Sequence, residues 1–255
     1  MVRALIHFAI RLAFLVVGSG SVAIAQANDV DVKIVIAVDA SGSVNRNEFR
    51  LQIGGIASAF RNPAIQKAVR AGPKGRILAA VLIWSDAAYP KYPTEWNVLH
   101  SAESFESFAK EIEAFKTSAP GVPAIGGGGT NIGDALVYAI TMIEENPLVS
   151  SRRVIDVSGD GPESKPWQKG AVELPAARAL ARRKGITVNG LAIENEVADL
   201  GLWYRRNLIA GPGSFVERAR DFQDYQRAIV KKLLRELSAT PVAMLDRERS
   251  TLFLP

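Results

Sequence analysis

Apolar runs alternate with helically spaced apolar residues along the chain from Val32 to Leu237. Runs of mostly apolar residues predict strands, and an unbroken run such as 77–84 predicts a strand that is buried on both faces of a sheet. These predicted strands are 34–38, 77–84, 154–157 and 188–193. A short run at 96–100 predicts an edge strand, and 214–216 predicts a last short strand.

The segments between these strands carry helix signals. Asn45, with Glu48 three residues later, is typical of a capping box, and the apolar residues that follow recur at spacings of three and four. Further helices are predicted over 105–115, 134–144, 174–184 and 202–209, with a last one capped by Asp221. Because strands alternate with helices, we expect an α/β fold. Its sheet is expected to be doubly wound, Rossmann-like and mostly parallel, with helices on both faces and one short antiparallel edge strand.

The N-terminal segment differs from the rest of the chain. Two arginines accompany an apolar stretch over 12–17, and Ala25-Gln26-Ala27 forms a small-x-small site, as is typical of a secretory signal peptide cleaved after Ala27. An uncleaved amphipathic anchor is the alternative. The expected divisions are a signal peptide over 1–27, an α/β domain over 28–238 and a C-terminal tail over 239–255. The mature protein is expected in the periplasm or outside the cell, without a stable membrane span.

Composition excludes several kinds of chemistry. The chain has no cysteine, so disulfides, thiolate nucleophiles and cysteine-bound zinc are excluded. It has two histidines, and His7 lies in the expected signal peptide, which leaves His100 as the single imidazole of the mature protein. A serine–histidine pair or a multi-histidine zinc site is therefore not expected. The positive charges behind the net charge of +5 are dispersed and do not argue for nucleic acid.

A group of oxygen donors follows the first predicted strand. Asp39-Ala40-Ser41-Gly42-Ser43 places one carboxylate and two hydroxyls within five residues, directly after 34–38. Open α/β sheets bind ligands at the carboxyl ends of their strands, and divalent cations such as Mg²⁺ prefer oxygen ligands. The pattern therefore predicts part of a cation site at this edge of the sheet.

Two later segments carry donors of the same kind in equivalent places. Thr130 follows four glycines and directly precedes a predicted helix, and Asp160 follows a predicted strand and precedes Gly161. Each also has a structural explanation, because Thr130 or Asn131 serves as a helix cap and Asp-Gly forms a turn. The order of the three segments favours a shared site, since such loops converge at one edge of a doubly wound sheet.

In these motifs the chain resembles the von Willebrand factor A (vWA) domain family and its metal-ion-dependent adhesion site (MIDAS). The matching residues are Asp39, Ser41 and Ser43 in the first motif, Thr130 in the second and Asp160 in the third. The resemblance implies that these residues hold Mg²⁺, or Mn²⁺ or Ca²⁺, directly or through water. It also makes the chain similar to a group of exported bacterial vWA-like proteins. One departure is Gly159, at a position where the family often has threonine.

The resemblance implies a non-enzymatic module that captures an acidic side chain of a protein partner at the cation. The ligand chemistry agrees, because two carboxylates offset the charge of the ion while neutral hydroxyls leave it electrophilic. Two alternatives remain open at this point. One is a metal-dependent hydrolase or phosphatase, although Ser41 stands where haloacid-dehalogenase-like phosphatases have a second aspartate. The other is a structural component of an envelope assembly.

Three further features have a functional and a structural interpretation. Asp156 lies within a predicted buried strand, where it either orients the site or is a structural carboxylate. The loop 162–170, which contains Trp167, follows Asp160 and forms either a recognition rim or ordinary loop packing. Tyr204 is assigned to a helix face rather than to the site.

Overall fold

The computed structural model describes residues 29–115, 128–164 and 170–238. The expected signal peptide over 1–27 and the C-terminal tail over 239–255 lie outside these ranges. None of the helices in the described ranges has the length and apolar character needed to cross a membrane.

Within the described ranges, seven strands form one sheet. They are β1 (Asp29–Asp39), β2 (Ile77–Trp84), β3 (Tyr92–Pro93), β4 (Asn97–Leu99), β5 (Val149–Gly159), β6 (Thr187–Ile193) and β7 (Val216–Ala219). Their order is β3-β2-β1-β5-β6-β7, with β4 also paired to β2. The five longer strands are mutually parallel, whereas β3 and β4 are antiparallel to β2. The expected mostly parallel sheet with an antiparallel edge is confirmed.

Seven helices in the described ranges cover the two faces of this sheet. They are α1 (Arg46–Arg61), α2 (Pro63–Arg70), α3 (Ala102–Ala114), α4 (Ile132–Glu145), α5 (Leu174–Arg183), α6 (Leu200–Asn207) and α7 (Tyr225–Ser238). Apolar residues of α1, α2, α3 and α7 form one core cluster, and those of α4, α5 and α6 form a second. Each face of the sheet therefore has its own helix layer, as expected for a doubly wound fold.

The central strand β1 shows why the apolar run is unbroken. Ile34 and Ile36 belong to the first core cluster, whereas Val35 and Ala37 belong to the second, and all four are fully buried. Successive side chains of a strand point to opposite faces, so a strand covered on both faces needs apolar residues at every position.

The order of the strands reverses between β1 and β5. From β1 the chain runs outward to β2 and then crosses to β5 on the other side of β1, where Val38 pairs with Ser158. In doubly wound sheets the ligand crevice lies at the carboxyl ends of the strands at such a switch point. The residues that directly follow β1 and β5 therefore lie at the place where this fold binds ligands.

The edge beyond β2 differs from the single strand predicted over 96–100. It consists of two short segments, β3 and β4, which pair with different ends of β2. Between them, the hydroxyl of Thr94 accepts a 3.0 Å hydrogen bond from the N–H of Val81. The side chain of Thr94 thus replaces a backbone acceptor in the hydrogen bonding of β2, and β3 and β4 form as separate strands on either side of it.

One helix and several element boundaries also differ from the prediction. Helix α2 was not predicted; Asn62 caps it and Pro63 occupies its first position, as proline favours. The last strand lies two residues beyond 214–216, because Gly211 and Gly213 have positive φ angles that keep the preceding segment out of the strand. The last helix begins at Tyr225, after a turn, rather than next to Asp221.

Candidate metal centre

Asp39 is the last residue of β1, and its carboxylate is fully buried. Oδ1 accepts a 2.7 Å hydrogen bond from the backbone N–H of Ser41, which turns the carboxylate toward the loop. Oδ2 is buried and has no hydrogen-bond partner among the described residues. The side chain of Gln52 in α1 donates a 3.1 Å hydrogen bond to the backbone oxygen of Asp39 and so fixes the end of the strand.

The two serines of the first motif connect Asp39 to Asp160. Ser41 Oγ lies 3.3 Å from Ser43 Oγ, and Ser43 Oγ donates a 2.8 Å hydrogen bond to Asp160 Oδ1. The predicted capping box at Asn45 is present and fixes the point at which the loop enters α1. The structure therefore brings the first and third motifs together.

Thr130 belongs to the turn before α4 and is almost fully buried. Its Oγ1 lies 3.8 Å from the point where a Cβ on Gly161 would lie, so the hydroxyl faces the residue after Asp160. The N–H of Gly42 donates a 3.2 Å hydrogen bond to the carbonyl of Gly128, which holds the first loop against the second. All three predicted loops are adjacent in the fold.

Asn131, and not Thr130, is the cap of α4. Its Oδ1 accepts a 2.8 Å hydrogen bond from the N–H of Asp134. Of the two candidate caps in the sequence, Asn131 therefore caps the helix. The hydroxyl of Thr130 faces Gly161, next to Asp160.

The electrostatics of the site favour a cation. Burial, followed by the charge of Asp160, raises the pKa of Asp39 to about 7, and burial likewise raises the pKa of Asp160. Asp160 Oδ2, like Asp39 Oδ2, is buried with no hydrogen-bond partner in the described ranges. Two buried carboxylates with unused oxygens, next to three hydroxyls, fit a hard divalent ion that would offset their charge.

The ligand set of such an ion would be mixed. In the described part of the chain, no three His, Cys, Asp or Glu side chains are grouped so that they could hold a metal. A cation at Asp39 and Asp160 would therefore take its remaining ligands from hydroxyls and water.

Tyr204 lies on the buried face of α6, in agreement with its assignment to a helix face, and its hydroxyl also reaches the candidate site. The ring is fully buried, and the hydroxyl donates a 3.3 Å hydrogen bond to the carbonyl of Gly161. A Cβ on Gly159 would lie 2.8 Å from Tyr204 OH and 2.7 Å from Asp39 Oδ2. Tyr204 thus occupies the space that is open because position 159 lacks a side chain. The one feature of the sequence that points to this contact is Gly159, at a position where the vWA family often has threonine.

Asp156 is a structural carboxylate and lies away from the site. Its Oδ1 is 2.6 Å from Lys232 Nζ, which lies 2.6 Å from Glu236 Oε1, and all three side chains are almost fully buried. These residues join β5 to α7. The alternative in which Asp156 orients the site is therefore wrong.

The loop 162–170, interpreted above as either a recognition rim or ordinary loop packing, is described only in part. Residues 162–164 are described, whereas 165–169, including Trp167, lie outside the described ranges. The choice between the two interpretations is therefore untested for that segment.

Comparison with known proteins identifies the family. The profile of the family "Protein of unknown function (DUF1194)" matches residues 29–241. The chain belongs to the DUF1194 family. No curated protein matches it.

Solved structures with the same fold include vWA-type proteins. The pilus adhesin SpaC from Lactobacillus rhamnosus GG has a TM-score of 0.55 at 15% identity, over 83% of this chain and 31% of the adhesin. Proximal thread matrix protein 1 from the mussel byssus, with a zinc-occupied MIDAS motif, has a TM-score of 0.55 at 15% identity, over 82% of this chain and 48% of that protein. This DUF1194 chain spans less than half the length of either. The likeness confirms the vWA-like fold.

Proposed function

We propose that the chain is an exported binding module that holds one divalent cation at the switch point of its sheet. The proposed ligands are Asp39, Ser41, Ser43, Thr130 and Asp160. The observation that carries the proposal is the pair of buried carboxylates of Asp39 and Asp160, each with an unused oxygen. Mg²⁺ is the expected ion, and Mn²⁺ or Ca²⁺ shares its preference for oxygen ligands.

The chemistry of the ligands supports binding of an acidic partner. Neutral hydroxyls complete the coordination without adding negative charge, so the ion keeps the ability to attract a further carboxylate. That carboxylate would come from an Asp or Glu side chain of a protein partner. The names of the similar structures agree with this proposal, since one is an adhesin and one carries zinc in a MIDAS motif.

Hydrolysis is the less well supported function. His100, the histidine outside the expected signal peptide, follows β4, which pairs with the start of β2. It therefore lies at the opposite edge of the sheet from the site and cannot serve there as general base. A phosphatase with Asp39 as nucleophile would also need an acid two residues later, where this chain has Ser41.

Export to the periplasm or beyond is proposed from the N-terminal sequence, in which charge, an apolar stretch and a small-x-small site precede the domain. A structural role in an envelope assembly is the remaining alternative. Both roles allow a bound cation to stabilise the protein, so only capture of a partner separates them.

The test is capture of partners from an envelope extract by the immobilised mature chain. Each capture is run with Mg²⁺, with chelator, and with Mg²⁺ after the carboxylates of the extract have been blocked as amides. The proposal predicts a retained protein in the first sample only. Asp160→Asn should retain none under any condition.

Asp31→Asn serves as the matched control, because Asp31 is also a carboxylate of the domain but lies at the start of β1, at the opposite end of that strand from the site. It should capture like the natural protein. Retention that is unaffected by chelator and by amide blocking would contradict the proposal and favour the structural role.

A further inference from the structure

A second set of hydrogen bonds joins the loop of Thr130 to the loop of Asp160. The N–H of Ser164 donates to the carbonyl of Thr130 (2.8 Å), and the N–H of Thr130 donates to Ser164 Oγ (3.0 Å). Thr130 is thus bound through both its N–H and its carbonyl to one residue of the other loop. The position of Thr130 therefore depends on the segment that follows Asp160.

Glu163 completes this connection at the start of α4. Its carboxylate accepts hydrogen bonds from the N–H groups of Ile132 (2.5 Å) and Gly133 (3.3 Å), the first two residues of the helix. The first N–H groups of a helix have no partner within it, and the positive end of the helix dipole attracts negative charge. Asn131 satisfies only the N–H of Asp134, so Glu163 supplies the remaining cap from a distant part of the sequence.

Together, Glu163 and Ser164 form what we call the α4 clamp. Glu163 is half-buried, so it closes over the helix start instead of pointing to solvent. Because Thr130 is two residues before Ile132, the clamp sets where its hydroxyl lies relative to Asp160. The contact of Thr130 Oγ1 with the Gly161 position, at 3.8 Å, lies within this clamped region.

We propose that Glu163 is a positioning residue of the cation site, which holds Thr130 at the distance from Asp160 that lets both bind one ion. This inference rests on the proposed cation site. Glu163 does not itself bind the ion. Without the Glu163 carboxylate, the N–H groups of Ile132 and Gly133 would form hydrogen bonds with water instead. Thr130 would then be held less firmly against the loop of Asp160.

The test compares two variants that make the same chemical change in different places. Glu163→Gln replaces the clamp carboxylate by an amide of the same shape. Asp31→Asn does the same to a carboxylate that accepts hydrogen bonds from the N–H groups of Lys74 (2.9 and 3.1 Å) and Arg76 (3.4 Å). Mn²⁺ affinity is measured by calorimetry and the unfolding midpoint by circular dichroism with chelator.

The inference predicts that Glu163→Gln binds Mn²⁺ roughly tenfold more weakly or worse, the usual size of effect for groups that orient metal ligands. Asp31→Asn should bind Mn²⁺ as the natural protein does, whatever its change in unfolding midpoint. Equal Mn²⁺ affinity in Glu163→Gln and the natural protein would overturn the positioning role alone. Absence of Mn²⁺ binding by the natural protein would overturn the proposed cation site, and this inference with it.

Discussion

At Gly159 two buried oxygens leave no room for a side chain. Gly159→Ala would place a Cβ 2.7 Å from Asp39 Oδ2 and 2.8 Å from Tyr204 OH, both in fully buried residues that have little space to move. Overpacking of this kind costs about 1–3 kcal/mol. We therefore expect Gly159→Ala to lower the free energy of unfolding by this amount and to weaken Mn²⁺ binding, as measured by denaturation and calorimetry.

The matched control is Gly161→Ala, on the other side of Asp160. A Cβ there would have Thr130 Oγ1 at 3.8 Å as its nearest neighbour, which is ordinary contact. We expect a change below about 1 kcal/mol for this variant, since nothing must move. Equal losses of unfolding free energy in the two variants would show that the short distances from the Gly159 position to Asp39 and Tyr204 do not cause the destabilisation.

The residues of the site differ in how well the sequence reveals them. Asp39, Ser41 and Ser43 are predictable because three donors follow a buried strand within five positions. Tyr204 and Glu163 are not, because each acts through a contact with a loop from another part of the chain. The local sequence around a tyrosine on a helix or a glutamate in a loop does not indicate which distant loop it contacts.

Among the elements, α7 is fixed to the sheet by buried charges. Lys232 Nζ lies 2.6 Å from both Asp156 Oδ1 and Glu236 Oε1, and none of the three side chains is more than 1% exposed. Lys232→Met would leave two buried carboxylates without a cation. Removal of one partner of a buried ion pair costs about 3–5 kcal/mol, so we expect a loss of this size in the free energy of unfolding.

Lys231→Met is the control one position earlier. Lys231 pairs with Glu217 at 2.9 Å, but 65% of its side chain is exposed, and pairs of this kind contribute at most about 1 kcal/mol. Urea denaturation of the two variants compares them directly. If Lys231→Met were as damaging as Lys232→Met, burial of the triad would not explain the attachment of α7.

The elements themselves were predictable to different degrees. The continuous apolar strands and the capping box at Asn45 were found because their signals are local. The division of the edge into β3 and β4 was not, since it depends on a hydrogen bond between Thr94 and Val81 in the folded sheet. The sequence does not distinguish the two interpretations of Asp156, because its partner lies on α7.

For the whole molecule, the buried acids determine how stability changes with pH. Burial raises the pKa of Asp39 and Glu163 to about 7, above their values in the unfolded chain. Between about pH 4 and 7 the folded protein therefore holds protons that the unfolded chain has released, so stability falls as pH rises. Asp224 has a lowered pKa because of Arg227 and titrates below this window.

We expect the metal-free protein to lose at least ~2 kcal/mol of unfolding free energy between pH 5 and 7, since one such proton contributes about 1.4 kcal/mol per pH unit. Urea denaturation at several pH values measures this slope. Mg²⁺ should reduce this slope by displacing the proton from Asp39. A metal-free protein that is more stable at pH 7 than at pH 5 would refute this assignment of protons.

The measurement that tests the cation site most directly is calorimetric titration of Mn²⁺ into the natural protein, Asp39→Asn and Asp160→Asn at pH 8, where both carboxylates are available to a metal. We expect the natural protein to bind one ion and each variant to bind it at least about a hundredfold more weakly, or not at all. Circular dichroism should show that both variants keep the fold, because each change removes one of two buried negative charges, those of Asp39 and Asp160, that repel each other. Unchanged Mn²⁺ affinity in the two folded variants would show that Asp39 and Asp160 do not form a cation site.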